Sequence, residues 1–401
     1  MRAAPRELRG GSAHVRDENA RERAPSRYLS TLRPMEMNPA QAAFTADAQT
    51  LARTAVLADL RLRNFRPRSR VTRVISTVNT PSVPAIDCHN HLGRWLTDQG
   101  EWMAGQPRAL VDLMDQCGVE RVVNLDGRWG DELVANLERY DRGYPGRFAT
   151  FCHLDWSRVD TLVAQVDEAA ALGARGVKIW KDLGLTVRDP ASGTLVGVDD
   201  DRVVAAVRRA GEHGLPVLIH TADPVAFFDP LDAMNERVEE LTANPGWWFG
   251  DRSVFPSFAA LIAGLERLVF AAAETSIIGA HVGGYAENLS WVSRMCATYP
   301  NFHVDLGGRM AELGRQPRAF GRLVAEHPDR VIFGSDAFPP SAAAYRAWFR
   351  FLETDDEYWP YQGEDAIDEV PAQGRWAIHS VGLAPELLHG LYRGNALRLG
   401  L

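Results

Sequence analysis

Cysteine is scarce in this chain. The four in 401 residues, Cys88, Cys117, Cys152 and Cys296, are scattered and form no CxxC pair, which excludes a disulfide scaffold and reads as reduced thiols in a cytoplasmic protein. No run approaches the roughly 18 uninterrupted apolar residues that span a bilayer, and the N-terminus lacks the apolar core of a signal peptide. Positive charge is in deficit: 44 Lys and Arg stand against 52 Asp and Glu, a net charge of −8 with His neutral. That balance opposes non-specific attraction to nucleic acid or an anionic membrane, and points to a small-molecule substrate. Cofactor and nucleophile signatures are missing too. Gly283-Gly284 and Gly307-Gly308 are too short and misplaced for a dinucleotide fingerprint, and there is no Walker pattern or nucleophile elbow, which disfavours a Rossmann dehydrogenase or a serine hydrolase. What is present is an ordinary globular composition, 46% hydrophobic and 24% charged, enough for a substantial core.

Residues 1–37 are dense in Arg, Glu, Gly and Ser without apolar periodicity, and are expected to form a disordered tail. In residues 38–84, Asn38 offers an N-cap and Pro39 a first helical residue. Phe44, Ala48, Leu51 and Ala55 then recur at helical spacing, so one helix is expected to about Asn64, followed by a basic, proline-bearing lead-in. Residues 85–401 read differently. Eight β-rich runs, Ala85–His89, Arg121–Leu125, Phe148–His153, Ala174–Ile179, Pro216–His220, Ser276–His281, Phe302–Leu306 and Val331–Asp336, alternate with helical patterns. Alternation of this kind predicts an α/β fold with a parallel sheet, and eight repeats predict closure into a distorted (β/α)8 TIM barrel with an N-terminal helical extension. A doubly wound open sheet is the alternative. Long connections follow strands 5 and 8, on the side where barrels build active sites, and both carry aromatic clusters such as Trp247-Trp248-Phe249.

The first strand ends Asp87-Cys88-His89-Asn90-His91, and period-two alternation places His89 and His91 on one face. Two imidazoles on one face make half of a metal site. His220 ends the fifth run, His281 the sixth and Asp336 the eighth. In a closed barrel those strand ends surround one mouth, so five ligand-type side chains converge across very long sequence separations.

This combination, with the Gly334-Ser335-Asp336 ending of strand eight and the terminal Gly394-Asn395-Ala396-x-Arg398-Leu399, resembles the amidohydrolase superfamily. Within it, the chain resembles the amidohydrolase-2 branch that includes aminocarboxymuconate-semialdehyde decarboxylase-like proteins. The resemblance covers roughly residues 65–401. It implies a divalent metal, one Zn2+ with Mn2+ as an alternative, held by His89, His91, His220 and Asp336. It makes His281 a proton-transfer group, and pairing of barrels through loops into a homodimer is common in the branch. The implied chemistry is hydrolysis of an amide, ester or lactone carbonyl, with Asp336 and His281 catalytic, because a divalent cation activates water and polarises carbonyls. Non-oxidative decarboxylation of an aromatic or unsaturated acid uses the same ligands and is the alternative; a non-catalytic ligand-binding barrel is the third reading. Lys178, a bridging residue in binuclear relatives, is expected here to neutralise buried carboxylates or to contact an acidic group of the substrate, with Arg94 and Arg309 as carboxylate clamps and Trp180 lining the pocket. His153, which also closes a strand at the mouth, is expected to be structural.

Overall fold

The computed structural model describes residues 47–97, 99–364 and 372–401. The expected tail and the Asn38-Pro39 helix start lie outside the described residues. The chain divides after Phe65 into two units. In the first, Asp47 caps the helix Ala48–Ala58 by accepting from Thr50 N–H, and a short 3-10 turn, Leu62–Asn64, follows. The helix therefore stops short of Asn64. The break comes at Asp59, a residue type that competes with the helical ladder for backbone hydrogen bonds.

The second unit, Arg66–Leu401, is built from eight short parallel strands: β1 (Ala85–Asn90), β2 (Val119–Asn124), β3 (Phe148–Thr150), β4 (Val177–Ile179), β5 (Val217–Ile219), β6 (Ile277–Gly279), β7 (Phe302–Asp305) and β8 (Val331–Ile332). They pair in sequence order as β1-β2-β3 and β4-β5-β6-β7-β8. Two seams join these runs into a ring. Between β3 and β4, Cys152 N–H donates to Gly176 O at 2.9 Å and Lys178 N–H to Cys152 O at 2.7 Å. Between β8 and β1, Cys88 N–H donates to Phe333 O at 2.9 Å and Asp336 N–H to His89 O at 2.8 Å. The fold is the expected distorted (β/α)8 barrel, and the open sheet is excluded.

Local sequence explains the outer helices. Pro107 opens the helix Pro107–Cys117, Leu110, Val111, Met114 and Cys117 form its inward stripe, and Gly118 ends it in the left-handed conformation at φ 69°. Asp200 caps the helix Asp201–Glu212, whose Val203, Val204, Ala206, Val207 and Ala210 are buried. Inside the ring, Ile86, Cys88, Val123, Phe151, Leu218, Ile278 and Ile332 pack together and are closed off by Ala396 and Leu401 from the C-terminal turn. The lead-in is tied to the barrel where Asp356 accepts from Ser76 N–H and Oγ, both at 2.7 Å, and from Arg350 at 2.7 Å.

Strand β1 is irregular where it matters. Asp87 pairs with Val122 and Asn90 with Asn124, so three steps on β1 match two on β2, which is a bulge. Strict alternation would give Asp87 and His89 the same face. Asp87 instead accepts from Ser335 and from Tyr345 Oη on an outer helix, while His89 reaches Asp305 on β7.

Candidate metal centre

The site is assembled at the C-terminal mouth of the barrel, just beyond the strands. His220, His281 and Asp336 were expected as strand-final residues, yet each lies past the last ladder residue of its strand. His281 and Asp336 are left-handed, at φ 57° and 55°, an uncommon conformation for non-glycine residues. Leaving the ladder frees these side chains from the in-out alternation and turns them to the mouth.

Three of the four expected ligands meet closely. His89 Nε2 and His91 Nε2 each lie 3.6 Å from Asp336 Oδ1, and His89, His91 and Asp336 form a compact donor group. The fourth, His220, stands one ring away: its centroid is 4.2 Å from that of His281, which is 4.8 Å from that of His89. His220 Nε2 lies 3.5 Å from Asp223 Oδ1, and Asp223 is paired with Lys181 at 2.5 Å. Burial, partly offset by Asp223, pushes the His220 pKa down to about 4, so its imidazole is neutral.

The tautomers follow from the partners. His89 Nδ1 donates to Asp305 Oδ2 and His91 Nδ1 to Asp126 Oδ1, each at 2.8 Å. Both rings therefore carry their proton on Nδ1 and leave Nε2 as a lone pair, the arrangement in which a carboxylate orients a metal-ligating histidine. His89 Nε2 and His220 Nε2 are buried without a hydrogen-bond partner. A buried polar atom left unpaired is costly, and a cation at this point would satisfy it. The donor set of imidazole nitrogens and one carboxylate fits a divalent metal.

Asp305 and Asp126 escaped the sequence reading, because a carboxylate at the end of β7 or just after β2 carries no spacing signal of its own. Asp305 also accepts from His281 N–H at 3.0 Å and Gly307 N–H at 2.9 Å. Burial alone would raise its pKa, but the His89 imidazole and the His281 N–H outweigh it and hold the carboxyl below its ordinary range. Asp126 is similarly held low against burial by His91, His153 and the Trp95 indole.

His281 donates from Nδ1 to Gly307 O at 2.7 Å, so its open nitrogen, Nε2, is an acceptor. Burial and the surrounding cationic groups hold it well below its ordinary pKa, so it begins neutral. Lys178 is buried, its Nζ has no hydrogen-bond partner, and burial lowers its pKa to about 8 despite Asp305, Asp336 and Asp126. Trp180 packs 4.8 Å from the His91 ring. Lys178 and Trp180 line a cavity of about 530 Å³ that also takes in Trp95, Arg128, Trp129 and Lys181. His153 lines it too, but donates from Nε2 to the Leu125 carbonyl, and burial pushes its pKa down to about 3.

The two expected carboxylate clamps differ in their surroundings. Arg94 is held by Glu132 through Nε at 2.9 Å and Nη2 at 2.7 Å, and this commits its fork to a protein carboxylate. Arg309 follows Gly308, beside Asp336, and donates from Nη1 to Gly308 O at 3.3 Å. Among the loop aromatics, Phe249 packs with Phe228 and Phe255, and Trp248 Nε1 donates to Asp229 O at 2.8 Å. Those contacts lie within the loop itself.

No helix among the described residues is long and apolar enough to cross a membrane. Comparison with known proteins agrees with the fold. A 2,6-dihydroxybenzoate decarboxylase solved with 2,6-dihydroxybenzoate is similar at TM-score 0.51 and 16% identity, covering 79% of this chain and 99% of that one. The 2,6-dihydroxybenzoate decarboxylase from Rhizobium is similar at TM-score 0.51 and 16% identity, covering 79% of this chain and 98% of its own. No curated protein sequence matches the chain. A family model described as amidohydrolase matches residues 86–399. The chain therefore belongs to the amidohydrolase family, in its amidohydrolase-2 branch.

Proposed function

We propose that this protein is a metal-dependent hydrolase that opens an amide, ester or lactone carbonyl of a small organic substrate. The observation that carries the reading is the position of Asp336 Oδ1, 3.6 Å from both His89 Nε2 and His91 Nε2, with His89 Nε2 buried and otherwise unpartnered. His89, His91 and Asp336 would hold the ion, with His220 as the expected fourth ligand. When bound, a divalent ion such as Zn2+ or Mn2+ activates water and polarises the carbonyl. Asp336 takes the proton of the attacking water, because its carboxylate is the basic oxygen group at the mouth. Asp336 then delivers that proton to the leaving group, while His281, a neutral imidazole whose Nδ1 lies 3.9 Å from Asp336 Oδ2, steadies the charge that develops beside it.

A second reading, decarboxylation of an aromatic or unsaturated acid, is favoured by the buried Lys178 Nζ, which lies 5.0 Å from the centre of the Trp180 ring and has no hydrogen-bond partner, beside an indole-lined cavity, a setting that suits a carboxylate. Turnover in 18O-labelled water separates the two. The full chain, supplied with Zn2+ or Mn2+, is given a panel of small aryl esters, lactones, amides and carboxylic acids, and products are weighed by mass spectrometry. Incorporation of 18O into a new carboxylate is expected. Release of carbon dioxide with no label in the product would replace hydrolysis by decarboxylation.

A further inference from the structure

The cavity beside the metal centre has a feature the chemistry above does not use. Arg128 lies after β2 and is left-handed at φ 59°, a conformation that is strained for a side chain of this type and is kept where the surroundings over-determine it. Its guanidinium lies 3.9 Å from the centre of the Trp129 ring and 5.1 Å from that of Trp95. Among the described residues it makes no ion pair or hydrogen bond to a protein acceptor, whereas neighbouring Arg94 is taken by Glu132 and Arg158 by Asp155. Two indoles therefore hold a guanidinium in place and leave its donors unused.

The rest of the cavity has matching chemistry. The chain has only two lysines, Lys178 and Lys181, and both line this cavity. Lys181 is spoken for by Asp223, while Lys178 Nζ, nearer the metal centre, has no hydrogen-bond partner. Arg128 and Lys178 both act electrostatically on His153, which sits between the loop after β2 and β4 and has its own Nε2 tied to Leu125 O. The nearby acids act on Arg128 through space without an ion pair or hydrogen bond to it, and Asp155 is engaged by Ser157 and Arg158. Trp95 and Trp180 add an apolar corner, their rings 4.8 Å apart and nearly perpendicular.

We infer that Arg128 is a recognition site for a planar carboxylate carried by the substrate away from its reacting group, so that the ligand class is a flat, ring-based acid with a second anionic group. The inference deepens the function proposed above and rests on that reading for the location of the reacting end. An arginine fits because a guanidinium pre-set by stacking meets a carboxylate edge-on with paired N–H donors. The indoles contribute apolar walls for the ring between the two ends.

The test is binding, not turnover. Isophthalate and terephthalate, with benzoate as the mono-anion, are titrated into the full chain as isolated, following tryptophan fluorescence and heat. The wild type is expected to hold at least one dianion about tenfold or more tighter than benzoate. Arg128→Gln is expected to erase that preference while leaving benzoate within about threefold of wild type. Arg128→Asn, which tolerates the left-handed backbone, gives the same reading if Arg128→Gln folds poorly. A dianion preference that survives in either folded variant, or a wild type that shows no such preference, overturns the inference. Metal content of the same samples reports separately on the metal-dependent reading.

Discussion

Asp305→Asn isolates the hydrogen bond that aims a ligand. In the wild type, Asp305 Oδ2 receives the His89 Nδ1 proton at 2.8 Å, while Oδ1 receives the N–H groups of His281 at 3.0 Å and Gly307 at 2.9 Å. Asparagine keeps an oxygen for the two backbone donors, so its amide NH2 must face His89. The ring then becomes an acceptor at Nδ1 and carries its proton on Nε2, the atom that faces Asp336. A protonated nitrogen cannot ligate a cation, and restoring the useful tautomer sets two donors against each other. Loss of such an orienting carboxylate lowers metal affinity by roughly 10- to 100-fold, or about 1.4–2.7 kcal/mol. Competition against a chromophoric chelator measures zinc affinity, and a urea melt of the metal-free protein checks the fold. A variant that binds zinc within about threefold of wild type while melting normally would refute the tautomer argument.

Three further outcomes are expected. Zinc at about 100 times its dissociation constant should stabilise the wild type by about 2.7 kcal/mol, reversed by a chelator; a melt with the same shift in the His89→Ala, His91→Ala double variant would place the ion elsewhere. Gly284→Ala introduces a Cβ 2.1 Å from Thr221 O at a backbone φ of +73°, where neither a carbonyl nor the left-handed strain yields easily. Its stability should fall by roughly 2–4 kcal/mol in a urea melt, and an unchanged midpoint would contradict the packing beside His220. Asp189 is held down to about 2 by Arg202 and by the Ser192 and Ala191 N–H groups. Because its folded pKa lies below the ordinary 3.8, its contribution is present above that value and is lost as pH falls toward the folded pKa. The gap in melting temperature between wild type and Asp189→Asn should therefore be open at neutral pH and close in acid; a gap independent of pH would assign it to packing.

Much of this protein was legible in its sequence for reasons of period and composition. Eight apolar β-rich runs alternating with helical stripes dictate a parallel sheet, since each strand must be covered by the helix that follows it. Ligand-type residues at the ends of those runs point to one mouth once the sheet is closed, so the meeting of His89, His91, His220, His281 and Asp336 was expected without coordinates. Lys178 and Trp180 were legible too, as residues of a strand that ends at the same mouth.

The tertiary structure decided what period alone does not encode. Local pattern is blind to partners that are remote in sequence, and so Asp305 for His89, Asp126 for His91 and Glu132 for Arg94 emerged only when the ring closed. Alternation also misassigns faces wherever the ladder breaks: the extra residue in β1 separates Asp87 from His89, and the left-handed turns at His281 and Asp336 re-aim two side chains. Sequence determined which ligand-type side chains the chain carries and near which strand ends. Closure of the barrel decided which nitrogens are left open, because a tautomer is set by the hydrogen bond at the other end of the ring.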